Sequence, residues 1–219
     1  MHRILDDTFN QYNRIFYKTG EEVFSPADSE FSLPGWYNFT WTSPDFFKEA
    51  HVNVIDARDT RGIWMMHCCV YPHNHNPGPI FGFDIFAGKS KVTGAFLDYS
   101  PVIPEHAFTL NKRATIAGVE RRTIPDWGVP IFSKNILALK NIQHIVGISG
   151  ISYIAITALY EYLRYIKPLN NIADDVSDKH QFYCQQQKLN KNNINVLMAL
   201  GLSEDQATKY INSCLFPFN

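Results

Sequence analysis

Residues 66–88, MHCCVYPHNHNPGPIFGFDIFAG, leave the chain few ways to fold. HCCVY reads as a strand, PHNHNPGP interrupts any regular element, and IFGFDIF reads as a second strand. Together they predict a long hairpin-like pair. Side chains alternate along a strand, which sets Asp84 on one face with Gly82 and Phe86, opposite Phe83 and Ile85. Adjacent Cys68 and Cys69 likewise point to opposite faces. An aspartate among Phe81, Phe83, Ile85 and Phe86 is an uncommon residue to bury. If buried there, it is desolvated in a way that favours its protonated form, a property suited to a proton donor. A solvent-facing aspartate near a strand end is the alternative, and for His67 the alternative is a core imidazole satisfied by backbone.

The surrounding sequence extends the pair into a sheet. Strands are expected over residues 36–44 (WYNFTWTSP), 50–57 and 63–71, the last two joined by the polar turn DTRG, and again over 91–99. Consecutive strands with short turns argue for antiparallel pairing. Phe9, Tyr12, Ile15 and Phe16 recur at helical spacing over residues 6–18, with Gly20 as a stop. Residues 141–160 contain no Asp, Glu, Lys or Arg, nearly the length of a membrane span. However, Ile151, Ile154, Ala155, Ala158, Leu159, Tyr162, Leu163 and Ile166 fall on one stripe, with Ser152, Glu161 and Arg164 off it. Gly147, Ser149 and Gly150 mark a start or a break. A core-packed helix over 150–166 is therefore expected. Two further helices, 193–200 and 203–215, flank Gly201, the second opened by the capping sequence SEDQ. The middle of the chain, residues 101–129, reads as short helix and loop. Helices before and after a run of strands give an α+β fold with both sheet faces covered.

A chain of 219 residues suits one domain, residues 1–219, and a formal net charge of -1 gives no reason to expect nucleic acid or an anionic membrane as partner. The four cysteines form no CxxC pair, so neither a zinc site nor a disulfide framework is suggested, and reduced thiols in the cytoplasm are the default. The N-terminal MHRILDDTFNQYNRIF lacks the apolar core of a signal peptide. His73 and His75 make an HxH pair, but Pro77, Gly78 and Pro79 stand where a metal-binding carboxylate would follow, so no metal is expected. Glycine-rich dinucleotide loops, P-loops and GxSxG are absent from the sequence. What remains is an acid–base pair, Asp84 with His67, and the cluster ERRTIPDWG. In that cluster Arg121 and Arg122 either face water or grip ligand carboxylates.

HCCVYP, FGFDIFAG, VTGAFLDYSP, RTIPDWG followed by IFS, and FYCQQQ together resemble the ferredoxin-dependent bilin reductases, in particular their phycocyanobilin:ferredoxin oxidoreductase branch. The resemblance implies a three-layer α/β/α sandwich with a central antiparallel sheet. It implies an enzyme without tightly bound cofactor, reducing biliverdin IXα through bilin radicals with electrons from a [2Fe-2S] ferredoxin. Asp84 matches the catalytic aspartate and His67 its partner. His51 matches a pocket histidine, Thr93 a pocket serine, Arg122 and Trp127 residues near the bilin and its propionates, and Tyr183, Gln187 and Asn190 the C-terminal side of the pocket. Asn53 departs from the pattern. The phycocyanobilin-forming enzymes carry a glutamate there, associated with reduction of the D-ring vinyl group, and an amide cannot serve as that acid. The expected product is phycoerythrobilin, by reduction of the 15,16 bridge and then the A-ring diene, with phycocyanobilin the alternative. Asn190 stands where several A-ring-reducing relatives have a second aspartate. A monomer is expected, docking acidic ferredoxin through Lys89, Lys91, Lys112, Arg113, Lys134 and Lys140. A non-catalytic bilin carrier, chaperone or lyase is the competing class, and it would not need the Asp84–His67 pair.

Overall fold

A computed structural model describes residues 1–106, 108 and 119–218. Helix α1 (His2–Thr19) leads into β1 (Glu21–Val23), α2 (Pro26–Glu30), β2 (Trp36–Ser43), β3 (Phe47–Ala57), the single turn α3 (Arg58–Arg61), β4 (Ile63–Tyr71), β5 (Ile80–Ala87) and β6 (Val92–Ser100). Then follow β7 (Glu120–Arg121), β8 (Leu137–Ile142), α4 (Ile145–Ile166), α5 (Ser177–Lys188), α6 (Lys191–Ala199) and α7 (Glu204–Tyr210), which runs on as a π turn, Ile211–Leu215. The eight strands among the described residues join one antiparallel sheet in the order β1-β2-β3-β4-β5-β6-β8-β7.

The alternation read from the sequence is the division between two cores. Cys68, Phe81, Phe83 and Ile85 pack with Tyr12, Phe16, Ala155 and Leu159 of α1 and α4. Cys69, Tyr71 and Ile80 pack on the opposite face with Tyr183, Cys184, Tyr210 and Phe216 from the C-terminal helices. The three-layer α/β/α arrangement follows. Buried tyrosines keep their hydroxyls satisfied by reaching backbone carbonyls. Tyr12 donates to Ala155 at 3.1 Å, Tyr99 to Ala158 at 2.8 Å and Tyr162 to Val70 at 3.2 Å, stitching α1, α4 and the sheet together.

Several elements differ from expectation for identifiable reasons. Helix α4 begins at Ile145, not near residue 150, and Gly147, Ser149 and Gly150 lie inside it. Burial of Gly147 and Ile148 outweighs the ~1 kcal/mol that a glycine costs within a helix. Its buried face is the expected stripe, with Ile154 only partly buried and Ser152 buried against expectation. By length and apolarity α4 with its following turn would suffice to cross a membrane, and here one face lies against α1 and the sheet. Strand β8 escapes a period-two reading because Leu137, Ala138 and Leu139 are all buried. The DTRG turn is a helical turn closed by Gly62 at φ 68°, a left-handed conformation that favours glycine. Ser203 opens α7 with the expected cap, a reciprocal capping box with Gln206.

Candidate active site on the sheet face

Antiparallel register lines up one row of polar side chains across three strand junctions: Asn38 on β2, Asn53 on β3, His67 on β4 and Asp84 on β5. Directly opposed residues on neighbouring strands share a face, so all four point toward the C-terminal helices. In the same row Phe96 of β6 lies beside Asp84. At the centre, His67 Nδ1 and Asp84 Oδ1 are 2.7 Å apart. His67 is nearly buried, at 5 % side-chain exposure, whereas Asp84 retains 28 %. The aspartate is thus neither the dry carboxylate nor the solvent-facing one considered from sequence. It is half-buried and paired. An Asp84 carboxylate accepts from Nδ1–H, and a neutral imidazole held in that way presents Nε2 as an acceptor. That Nε2 is buried without a protein partner, and the Phe216 ring meets the imidazole edge-on at 5.2 Å.

The next row holds Thr40, His51, Cys69, Gly82 and Asp98. Both nitrogens of His51 are engaged, Nε2 with Glu49 Oε1 at 2.5 Å and Nδ1 with Thr40 Oγ1 at 3.2 Å; Thr40 in turn donates to Asp28 at 2.8 Å. Burial pushes Asp28 above the usual carboxylate range. For Glu49 burial acts the same way, but the hydrogen bond and charge of His51, with Lys48, outweigh it and leave Glu49 below that range. Gly82 is small for a reason: a Cβ there would sit 3.3 Å from Tyr183 Oη. Gln187 Nε2 donates to that oxygen at 2.8 Å, joining two of the expected pocket residues on α5. Burial raises both the Cys69 thiol and the Tyr183 phenol well above their ordinary values. Both stay protonated near neutrality.

Arg122 is also brought to this face. Its guanidinium lies 5.5 Å over the Phe96 ring, and the site of a Cβ on Gly94 is 3.2 Å from one of its nitrogens. Trp127, half-buried, packs on Phe132 at 5.6 Å. The loop that carries it is tied to the sheet by Asp98, which accepts from the Ser133 backbone and hydroxyl and from Ser100. Two further expected residues are engaged with neighbouring backbone. Thr93 is exposed near the start of β6, where the register with β5 shifts, and it donates to the Phe86 carbonyl. Asn190 is the N-cap of α6, accepting from the Asn192 backbone. A cleft of about 640 Å³ opens between the ends of β5 and β6 and α5, lined by Ile80, Ser100, Val102, Ile131, Phe182 and Tyr183. Neither His67 nor Asp84 lines it, whereas Tyr183, whose hydroxyl lies over Gly82, does.

Asn38, Glu49, Asp98, Tyr210 and Phe216 escape sequence reading. Asn38 was detectable in principle, since it alternates with Trp36 and Thr40 on a strand. Tyr210 and Phe216 reach the site only through packing of the C-terminal helices. Among the described residues no group of three or more His, Cys, Asp or Glu is placed to hold a metal ion. Of the six basic residues expected at a docking face, Lys112 and Arg113 lie outside the described residues. Lys89 and Lys91 lie in the β5–β6 turn, and Lys91 donates to Asn141 at the end of β8 at 2.9 Å. Lys140 pairs with Glu120 at 3.3 Å, and Lys134 is exposed.

Comparison with known proteins identifies the family. The chain is 29 % identical over 190 residues to the phycocyanobilin:ferredoxin oxidoreductase of Synechococcus sp. (strain CC9605), covering 77 % of this chain and 71 % of that protein. It is 28 % identical over 180 residues to the enzyme of the same name from Prochlorococcus marinus (strain MIT 9515), covering 78 % and 73 %. A solved structure of PcyX superposes with a TM-score of 0.73 at 26 % identity, over 98 % of this chain and 99 % of that one. Phytochromobilin synthase from tomato, solved in complex with biliverdin, shares the fold at a TM-score of 0.70 and 12 % identity, over 98 % of this chain and 80 % of that one. The family model for ferredoxin-dependent bilin reductases matches residues 36–217, a span that holds every strand of the polar row. The chain belongs to the ferredoxin-dependent bilin reductases, and it is a ferredoxin-dependent bilin oxidoreductase.

Proposed function

We propose that the protein reduces biliverdin IXα by four electrons to phycoerythrobilin, through bilin radicals, with Asp84 and His67 delivering protons. The observation that carries this reading is the 2.7 Å His67–Asp84 contact set beside an amide, Asn53, in the same row. Reduced ferredoxin supplies electrons and no protons. Four electrons entering the bilin therefore call for four protons from the protein and solvent. Each electron gives a more basic bilin. Asp84, once its carboxyl has taken a proton from solvent at its exposed edge, is the donor, and solvent recharges it after each transfer while His67 holds it in place. Asn53 has no acidic proton, which leaves the vinyl group without a donor at that position. Arg122, a rigid fork above Phe96, suits a propionate. Lys89, Lys91, Lys134 and Lys140 are the described part of the docking face for an acidic ferredoxin.

The names of the curated relatives favour a second product, phycocyanobilin. One experiment separates the readings: anaerobic turnover of biliverdin with reduced ferredoxin, followed by chromatography of the bilins. Phycoerythrobilin is the expected main product. Phycocyanobilin as the main product overturns the product assignment, and unchanged biliverdin overturns the enzymatic reading of this site.

A further inference from the structure

The two ends of the Asn53 amide are in different states. Nδ2 donates to Asn38 Oδ1 at 3.0 Å, while Oδ1, in a residue only 2 % exposed, is buried without a partner. Which end is which follows from the neighbours rather than from choice. Asn38 donates through its own Nδ2 to the Phe31 carbonyl at 3.2 Å, an oxygen that can only accept. Its Oδ1 must then face Asn53. Tyr210 Oη donates to the same oxygen at 2.8 Å from a fully buried position. Asn53 has only its NH2 group to offer that oxygen, and its carbonyl is left over.

Opposite Asn53 on β4 stands His67, whose Nδ1 is given to Asp84 and whose Nε2 is also buried and unpartnered. Asn53 Oδ1 can only accept, and Nε2 accepts whenever the His67 imidazole is neutral, so two directly opposed residues turn unpartnered acceptors to the same place. They describe the missing partner: a group rich in N–H donors. An open-chain tetrapyrrole carries such donors on its pyrrole and lactam nitrogens, and its lactam carbonyls would be repelled at the same place.

We infer that Asn53 is a fixed hydrogen-bond acceptor for a ring N–H of the bilin, and that Asn38 and Tyr210 are the positioning residues that lock its amide in this orientation. The inference rests on the bilin reading above and adds a second element to it. Position 53 not only lacks an acid; it is prevented from turning its NH2 toward the substrate. Product selection then depends on two residues, Asn38 and Tyr210, that lie behind Asn53 in the row and in the helical layer.

The test uses the whole protein and 15N-labelled biliverdin without reductant, so that binding is read apart from turnover. The wild-type complex is expected to show a bilin N–H resonance displaced downfield by a hydrogen bond. Asn53→Leu returns that resonance upfield and weakens binding about tenfold, the loss of one buried hydrogen bond. Asn38→Leu, with Asn53 intact, moves the same resonance because the amide is free to turn, and Tyr210→Phe moves it less. Asn53→Asp retains it at acid pH, since a protonated carboxyl gives its proton to Asn38 and still presents a carbonyl. If Asn53→Leu fails to fold, Asn38→Leu carries the same readout. Bound biliverdin with N–H resonances unaltered in both variants overturns the inference while leaving the bilin reading intact. Failure of the wild type to bind biliverdin overturns the bilin reading itself.

Discussion

His180 gives the sharpest quantitative consequence of the structure. It sits on α5, 1 % exposed, with both ring nitrogens unpartnered and its ring 6.0 Å from Tyr71. Burial, helped by the charge of Lys48 and opposed by Asp175 and Asp178, pushes its pKa down from 6.5 to about 4. The native state therefore keeps His180 neutral at a pH where the unfolded chain has already bound a proton. Stability is undiminished above about pH 6.5 and is lost as the pH falls toward about 4. That gap corresponds to about 3 kcal/mol in full, of which about 2.5 kcal/mol is lost between about pH 7 and about pH 4.5. Urea unfolding of wild type and of His180→Leu at those two pH values isolates the effect, because every other titrating group is common to both proteins. The two should differ by about 1 kcal/mol or less near neutrality, and the wild type should lose about 2.5 kcal/mol more than the variant on acidification. Parallel pH profiles would refute the neutral, unpartnered imidazole. Since α5 also carries Tyr183 and Gln187, the acid-induced loosening falls on one wall of the site.

Asp84→Asn should bind biliverdin yet lower turnover by about 100-fold or more, the usual span for a lost general acid, and accumulate a radical or unreduced complex visible by absorption spectroscopy. Wild-type turnover by this variant removes Asp84 from the proton path. Asp98→Ala leaves the Ser133 backbone N–H without its acceptor and should cost about 2 kcal/mol in denaturant unfolding, with KM raised more than kcat is lowered because the Trp127 loop is untied. Turnover with ferredoxin should slow several-fold between low and physiological salt if the lysines dock it electrostatically. Salt-independent rates count against that face.

The sheet and its two cores were legible because period two is a strong signal wherever one strand face packs differently from the other. Asp84 with Gly82 and Phe86, and Cys68 against Cys69, were placed correctly by that rule alone. The same rule fails for β8, where three consecutive residues are buried, and it carries no information about β1 and β7, which are too short to show a pattern. The His67–Asp84 pair was readable as two chemically apt residues on neighbouring strands, but its register was not, since the loop between them hides how the strands align. The engagement of both His51 nitrogens, the placement of Thr93 at the register shift and the capping role of Asn190 depend on partners several residues or several elements away. Resemblance transfers positions, and packing then decides what each side chain is free to do.

The alternation that separates the two cores also separates two kinds of heritable change. Along β2 to β6, every second residue faces α1 and α4 and decides whether the chain folds. The residues between them, among them Asn38, Thr40, His51, Asn53, Cys69, Gly82 and Phe96, face the C-terminal helices, where a second core and the polar row share one surface. A lineage can change the polar members of the second set without touching the α1–α4 core, so that under the proposed function a few substitutions there alter the chemistry on an unchanged scaffold. An insertion of one residue in β4 would exchange the two sets and lose both at once.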